Sequence, residues 1–256
     1  MRLTLGKKDY VRAAIVGNKI NRKTLQEEGM EDHKIKYFTL MSEYHRHDQD
    51  AFELAKDHHA IYMTSTVQQN EDQWKEALAS TVLFLALSPY SMEQQDMLHR
   101  IRADSNLEKL PPCQSTITSL LTKEIISYPI PYQAEMEALP AFLIGGDDLV
   151  AFWKKSFRAR IIQHNIRVAS SYYQRIHGKR LAQLLGLSND ELESEISSMV
   201  SNGEVYAKID RPMDIIKFKQ NKSAETVLSD WAADIGTLMN LVDTTSHLIQ
   251  KENMTQ

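Results

Sequence analysis

The sequence predicts a mainly α-helical protein: an irregular helical-repeat array (a solenoid), then a winged-helix module with a small β-hairpin wing, then a long C-terminal helix. The first observation behind this fold class is the scarcity of chain-breaking residues. Of 256 residues, 9 are glycine and 7 are proline, and residues 30–144 contain no glycine. Sheet folds need turn glycines at short intervals, so this stretch is expected to be helical. The second observation is the order of elements after residue 146, described below.

Composition excludes several classes of protein. The net charge is −4, which gives no overall attraction to nucleic acid or anionic membranes. Cys113 is the single cysteine, so no internal disulfide can form and a reducing compartment is expected. No signal peptide is expected, because Lys7 and Lys8 interrupt any apolar run near the start of the sequence. The longest apolar run, residues 77–87, is far shorter than the roughly 20 residues of a membrane span. We therefore expect a soluble, intracellular protein with no membrane contact.

Residues 1–146 are predicted to form the helical array. Apolar residues recur at helical spacing in successive segments, several of which are apolar on more than one side. A helical hairpin with two apolar sides must pack against two neighbours, as units of a solenoid do. No sequence period is found, so the array is irregular. The predicted helices are 34–44, 50–62, 71–87, one that begins after Ser91, and 117–126.

Residues 147–222 are predicted to form the winged-helix module, because their elements follow the order helix, short helix, turn, helix, hairpin. Gly145 and Gly146 mark the joint before the module, and Gly186 closes its short helix. Ser188 and Glu191 form a capping box at the start of the next helix. The predicted elements are a helix over 148–173, helices over 179–185 and 188–200, and two strands over 205–209 and 214–219.

Residues 223–256 are predicted to contain one helix, which runs to about residue 250. Its apolar positions step by threes and fours, close to a coiled-coil pattern. A helix of this length spans roughly 40 Å, more than the small preceding module can cover, so it should need a partner. Gly236 lies inside this helix, and a close helix–helix contact is expected there. The seam consists of Val227, Trp231, Ile235, Leu238, Val242, Thr245 and Ile249.

No catalytic motif is present, so we expect neither an enzyme nor a cofactor. The best metal candidate is a histidine cluster with two nearby aspartates. We favour a structural interpretation instead, in which His58 is a hydrogen-bonded packing residue and the other histidines are solvated. Cys113 lacks the positive surroundings of a reactive thiol, and Asp147 and Asp148 are interpreted as helix caps. The cluster comprises His45, His47, His58 and His59, with Asp48 and Asp57.

Winged helices raise the possibility of DNA binding. Residues 151–222 contain 13 Lys and Arg against 7 Asp and Glu, a net charge of +6. The helix that would enter the major groove carries four carboxylates and no basic residue, which opposes binding to phosphates. The basic residues lie instead on the preceding helix. Nucleic acid is therefore not expected as a partner, and duplex binding is kept as the remote alternative. The acidic residues are Asp190, Glu191, Glu193 and Glu195, and the basic ones are Lys154, Lys155, Arg158, Arg160 and Arg167.

The wing has two open interpretations. A short hairpin leaves backbone N–H and C=O groups unpaired at its edge, and these can pair with a neighbour's strand. Alternatively, the wing is a self-contained structural element. We favour edge pairing with a partner protein, and the residues predicted for this interface are Val205, Ala207, Ile209, Ile216 and Phe218.

A helical array followed by a winged helix and a long terminal helix resembles the PCI-domain scaffold subunits. These occur in the proteasome lid, the signalosome and translation initiation factor three. Residues 164–200 (HNIRVASSYYQRIHGKRLAQLLGLSNDELESEISSMV), 207–212 (AKIDRP) and 238–254 (LMNLVDTTSHLIQKENM) resemble the proteasome members in particular, as do 7–28, 34–48, 58–64 and 74–101. Residues 127–150 do not resemble the family closely. The match is expected to begin well inside the family pattern, without its earlier helical repeats.

The resemblance implies a non-catalytic scaffold of the proteasome regulatory-particle lid, acting in ubiquitin-dependent degradation. The winged helix would be the PCI module. Wing strands would pair edge to edge with other PCI subunits, and the terminal helix would join a helical bundle. Implied partners are other PCI subunits of the lid, its deubiquitinating metalloprotease and the proteasome core particle; the implied location is cytoplasm and nucleus. Signalosome and initiation-factor subunits are the alternatives within the family.

Overall fold

The structure, a computed structural model, describes residues 1–20, 24–26, 29–219 and 224–254. Two 3-10 helices, at Thr24–Gln26 and Ser105–Lys109, connect longer elements. The regular elements are α1 (Arg2–Gly6), α2 (Tyr10–Asn18), α3 (Glu31–Asp48), α4 (Ala51–Tyr62), α5 (Ser65–Gln68), α6 (Glu71–Leu87), α7 (Met92–Arg102), α8 (Pro111–Leu121), α9 (Gln133–Glu137), α10 (Pro140–Leu143), α11 (Asp147–Tyr172), β1 (Arg175–His177), α12 (Gly178–Leu185), α13 (Asn189–Ser201), β2 (Lys208–Asp210), β3 (Ile215–Lys217) and α14 (Ala224–Met254).

The helical array is organised around α6. Every residue of α6 from Ala77 to Leu87 is buried, on all sides of the helix. Helix α4 packs between α3 and α6, while α8 and α11 also contact α6. Asp50 begins α4, and its carboxylate accepts hydrogen bonds from the backbone N–H groups of Phe52 and Glu53, both at 3.1 Å. The mostly apolar residues 77–87 thus form a helix segment enclosed by its neighbours, as the sequence predicts.

The helix predicted over residues 117–126 lies earlier in the chain. Helix α8 begins at Pro111 and ends at Leu121. Proline is well suited to the first turn of a helix, where no intrahelical N–H bond is needed. Ile126, outside the helix, is held instead by Asn165 of α11: the Asn165 side chain accepts from the Ile126 N–H and donates to its C=O, both at 2.8 Å. Residues predicted as helical therefore form a connection clamped to α11.

Two hydrophobic cores meet inside α11. Its N-terminal part contributes Trp153, Phe157 and Ile161 to the core of the array, and its C-terminal part contributes Ile166 and Ala169 to the core of the winged helix. The helix begins directly after Gly145 and Gly146, whose φ values of +119° and +90° suit glycine. The predicted division at residue 146 therefore coincides with a helix start, while the border between the two cores lies between Ile161 and Ile166, about one helical turn beyond the middle of α11.

The winged-helix module has the predicted helices and one strand more than predicted. Its sheet has the order β1-β3-β2, with both pairs antiparallel. Strand β1 has no counterpart among the predicted strands, and the two wing strands are shorter than the predicted 205–209 and 214–219. Gly186 caps α12 with φ of +64°, and the Ser188–Glu191 capping box is present in both directions. The fold class predicted from the sequence is confirmed, down to the long terminal helix.

Helix α14 has 31 residues and ends at Met254. Its predicted start at Ser223, and the predicted domain boundary between residues 222 and 223, lie outside the described residues.

Candidate assembly surfaces

One strand of the wing hairpin, β2, lies at an edge of the sheet. Strand β3 is central and is paired on both sides, whereas β2 pairs with β3 and with no other strand in the described parts of the chain. The β2 edge therefore presents backbone N–H and C=O groups that a strand of another protein could pair with. The opposite edge of the sheet is β1, which directly follows α11. Of the two predicted wing strands, only β2 is an edge strand.

The side chains predicted for a wing interface point into the module. Ile216 and Phe218 are 4% and 7% exposed and belong to the winged-helix core. Val205, Ala207 and Ile209 are half-buried and pack against the same core. Ile216 and Phe218 are predicted for a wing interface, but alternation along the strand turns their side chains into the core, so these side chains are not available to a partner. A partner at the wing would meet the backbone of β2 and the outward side chains.

Helix α14 is exposed along its whole described length. Every side chain described in it is exposed, Trp231 by 63% and Leu238 by 59%. Soluble monomers rarely leave so many large apolar side chains in water along one face. The exposed seam residues are Val227, Trp231, Ile235, Leu238, Val242 and Ile249.

The apolar face of α14 is wider than the predicted seam. Leu228, Met239, Leu241 and Leu248 are exposed too. At 100° per residue these residues extend the apolar face to about half of the helix circumference. A strict two-stranded coiled coil needs only a narrow seam, so a face this wide suits a bundle with more than one neighbour. At Gly236, the place of an added Cβ has no atom within 4 Å among the described residues, so any close helix contact there would involve another chain.

Two of the basic residues of α11, Arg160 and Arg167, make hydrogen bonds within the chain. The Arg167 guanidinium donates to Glu204 at 2.9 Å and lies over the Tyr90 ring, 4.2 Å from its centroid. The Arg160 guanidinium donates to the carbonyl of Leu87 at 3.2 Å, which joins the two parts of the chain. These two guanidinium groups thus serve packing between α11 and its neighbours, which weakens the case for a nucleic-acid surface on this helix.

The helix that would read DNA carries its carboxylates as predicted. Asp190 and Glu191 are exposed, and the pKa of Glu191 is lowered by hydrogen bonds from the backbone and side chain of Ser188. Glu193 accepts a hydrogen bond from Arg211 Nε at 2.8 Å, and this contact holds the wing turn against α13. Exposed anions at this position oppose binding to phosphates.

Two members of the predicted histidine cluster, His45 and Asp57, form a buried pair. His45 Nδ1 lies 2.6 Å from Asp57 Oδ2, and both side chains are buried. Burial tends to lower the pKa of His45, but its hydrogen bond and charge interaction with Asp57 outweigh this, and the pKa is raised. The prediction that His45 is solvated is therefore wrong, since His45 on α3 and Asp57 on α4 meet at the helix interface. No group of metal-binding side chains is found in the described ranges.

His58 is a packing residue, as predicted. The predicted hydrogen bond is not found at its Nε2 in the described structure. Its ring stacks on Phe84 with centroids 5.4 Å apart, and Nε2 is buried with no hydrogen-bond partner in the described structure. Burial lowers the His58 pKa to about 4, with a smaller contribution from the charge of Arg46, so the ring is neutral at pH 7. A neutral ring can be stacked in an apolar core without the cost of burying a charge.

The surroundings of Cys113 do not favour a reactive thiol. Cys113 is buried, and burial raises the pKa of its thiol to about 11, the opposite of the shift that a reactive thiolate needs. Among the helices of the described residues, none is long and apolar enough to cross a membrane.

Sequence comparisons agree with this arrangement. Residues 1–70 match the family described as PSMD12/CSN4, N-terminal, residues 143–220 match the PCI domain, and residues 225–256 match the 26S proteasome regulatory subunit RPN5 C-terminal domain. In these three regions the chain resembles the PCI-domain subunits of the proteasome regulatory particle. The PCI match covers α11 and the winged helix, and the C-terminal match covers most of α14.

Individual relatives extend the similarity along the chain. The chain is 37% identical to the 26S proteasome non-ATPase regulatory subunit 12 of Dictyostelium discoideum, over 99% of its own length and 56% of the relative's. It is 34% identical to the 26S proteasome regulatory subunit RPN5 of Saccharomyces cerevisiae, over 99% of its own length and 57% of the relative's. The chain thus spans little more than half the length of these relatives.

Proposed function

We propose that this chain is a non-catalytic scaffold subunit of the proteasome regulatory-particle lid in ubiquitin-dependent protein degradation. The observation that carries the proposal is α14, whose wide apolar face is exposed along its described length. Burying such a face against other helices is strongly favourable, at about 25 cal/mol per Å² of apolar surface. The relatives are named regulatory and non-ATPase subunits, which supports a role in assembly rather than in catalysis.

Two surfaces would make the assembly contacts. The β2 edge would pair with a strand of another PCI subunit, and α14 would enter a helical bundle with the terminal helices of its neighbours. The partners proposed are other PCI subunits of the lid, the lid's deubiquitinating metalloprotease and the proteasome core particle. The cellular location proposed with them is cytoplasm and nucleus. The match of residues 225–256 to the 26S proteasome regulatory subunit RPN5 C-terminal domain favours the lid over the signalosome or translation initiation factor three.

The proposal predicts that Trp231→Asp combined with Leu238→Asp removes the chain from the lid. Two carboxylates in the centre of the apolar face would have to be buried without partners, which opposes bundle formation. We expect at least a tenfold loss of lid subunits that co-purify with a tagged chain, measured by quantitative mass spectrometry. Thermal unfolding of the variant alone should match the wild type, because both positions are exposed in the isolated chain.

The control adds the same charge to the opposite face of α14. Ala233→Asp with Asn240→Asp changes two exposed residues that lie about half a turn from the seam. This variant should recover the same lid subunits as the wild type. Normal recovery with the Trp231 and Leu238 substitutions, or recovery of signalosome or initiation-factor subunits by the wild type, would contradict the proposal.

A further inference from the structure

Three cationic residues form a row across the solvent face of the winged-helix sheet. In the registered pairs, Arg175 of β1 lies opposite Lys217 of β3, and Lys217 lies opposite Lys208 of β2. Their neighbours in the next row, Ile176, Ile216 and Ile209, belong to or pack against the module core. Because side chains alternate across a strand, the three cations share the outer face. We name Arg175, Lys217 and Lys208 the cationic row.

The row places like charges side by side. Directly opposite residues of an antiparallel pair have Cβ atoms about 4.5–5.5 Å apart, and like charges at this distance destabilise the sheet. Lys217 stands in the middle, with a cation on each side. In the described structure no ion pair is found for any member of the row. The one carboxylate in the three strands, Asp210, accepts a hydrogen bond from the backbone N–H of Met213 at 3.3 Å and so belongs to the wing turn.

Other cations of the same module are neutralised within the chain. Arg167 is paired with Glu204 at 2.9 Å, and Arg211 is paired with Glu193. A repulsive row left without counter-charges next to such pairs indicates that the counter-charges come from outside the chain. Arg175 and Lys208, the two ends of the row, are exposed and accessible to a ligand.

Charge and dimensions decide the kind of ligand. Strands lie about 4.8 Å apart, so the row spans roughly 10 Å, which matches three or four residues of an extended peptide. A nucleic acid would extend well beyond a row of this length, and the chain as a whole has a net charge of −4, which gives no overall attraction to phosphates. We propose that the outer face of this sheet is a docking surface for an acidic polypeptide segment of a partner protein, separate from the β2 edge and from α14.

The test uses the full chain and a fluorescent ten-residue glutamate peptide as the probe, with binding followed by fluorescence anisotropy at low and at physiological salt. The wild type should bind the peptide, and binding should weaken as salt is added. Arg175→Glu with Lys208→Glu should weaken binding at least tenfold, and the neutral pair Arg175→Gln with Lys208→Gln should weaken it less. Thermal unfolding of each variant establishes that the module is folded.

The matched control separates the row from overall charge. Lys36→Glu with Lys155→Glu changes the net charge equally at two exposed lysines outside the sheet, and binding should stay within twofold of the wild type. Equal weakening by this control, or absence of peptide binding to the wild type, overturns the proposal. A ten-residue oligouridine is the second probe: tighter binding of this RNA at the row than of the peptide would overturn the assignment to an acidic polypeptide. None of these outcomes depends on lid assembly, so the proposed function is tested independently.

Discussion

Replacing Trp153 with alanine is expected to lower the free energy of unfolding by about 3–5 kcal/mol, the range for truncation of a large aromatic residue in a packed core. Trp153 is 1% exposed, and its ring meets that of Phe84 edge-on with centroids 5.9 Å apart. Phe84 belongs to the buried α6, and Trp153 belongs to α11, which continues into the winged helix. The substitution therefore leaves a cavity where the array joins the helix shared by both cores. Chemical denaturation followed by circular dichroism measures the effect.

Two further substitutions isolate the packing contribution of this residue. Trp231→Ala is the same chemical change at a site that is 63% exposed, and it should cost less than about 1 kcal/mol in the isolated chain. Trp153→Phe keeps an aromatic ring and removes an indole N–H that is buried without a partner in the described structure. An unsatisfied buried donor costs about 1–3 kcal/mol, so its removal offsets part of the lost volume. A loss at Trp153→Ala no larger than at Trp231→Ala would contradict the placement of Trp153 in the core.

The features that the sequence predicts well are those with local causes. The apolar residues within 71–87 lie on all sides of their helix, so its burial can be predicted without knowing which helices surround it. The Ser188–Glu191 capping box and Gly186 fix helix ends through contacts within four residues. The sequence predicts the exposed face of α14 for a similar reason, because the helix is longer than the preceding module can cover.

The features that were missed depend on contacts between residues far apart in the chain. Strand β1 has three residues and becomes a strand only by pairing with β3, whose residues lie about 40 positions later in the chain. Strand alternation marks Ile216 and Phe218 as sharing a face, but the choice between core and partner depends on the position of α12 and α13 beneath the sheet. The His45–Asp57 pair requires the relative rotation of two helices, which periodicity does not specify.

Replacing Asp57 with alanine is expected to lower the free energy of unfolding by about 3 kcal/mol, because removal of one partner from a buried pair leaves the other without compensation. Asp57 is 4% exposed, and its Oδ2 lies 2.6 Å from His45 Nδ1 at the contact between α3 and α4. Glu53→Ala is the control on the same helix. Glu53 pairs with Lys56 at 2.8 Å in a partly exposed position, where such a pair is worth about 0–1 kcal/mol. Equal losses for the two variants would contradict the structural role of the buried pair.

The pH dependence of this loss distinguishes the ion pair from simple packing. Because Asp57 raises the pKa of His45 above 6.5, the stability from the protonated pair is fully present below pH 6.5 and is lost as pH rises through the folded-state value. The difference in stability between wild type and Asp57→Ala should therefore be larger at pH 5.5 than at pH 8.5. His58 acts in the opposite sense, since its pKa is lowered to about 4 and its contribution is lost as pH falls below 6.5. His58 is present in both proteins, so its contribution largely cancels in the difference. A difference that is constant with pH would mean that Asp57 acts through packing and neutral hydrogen bonding alone.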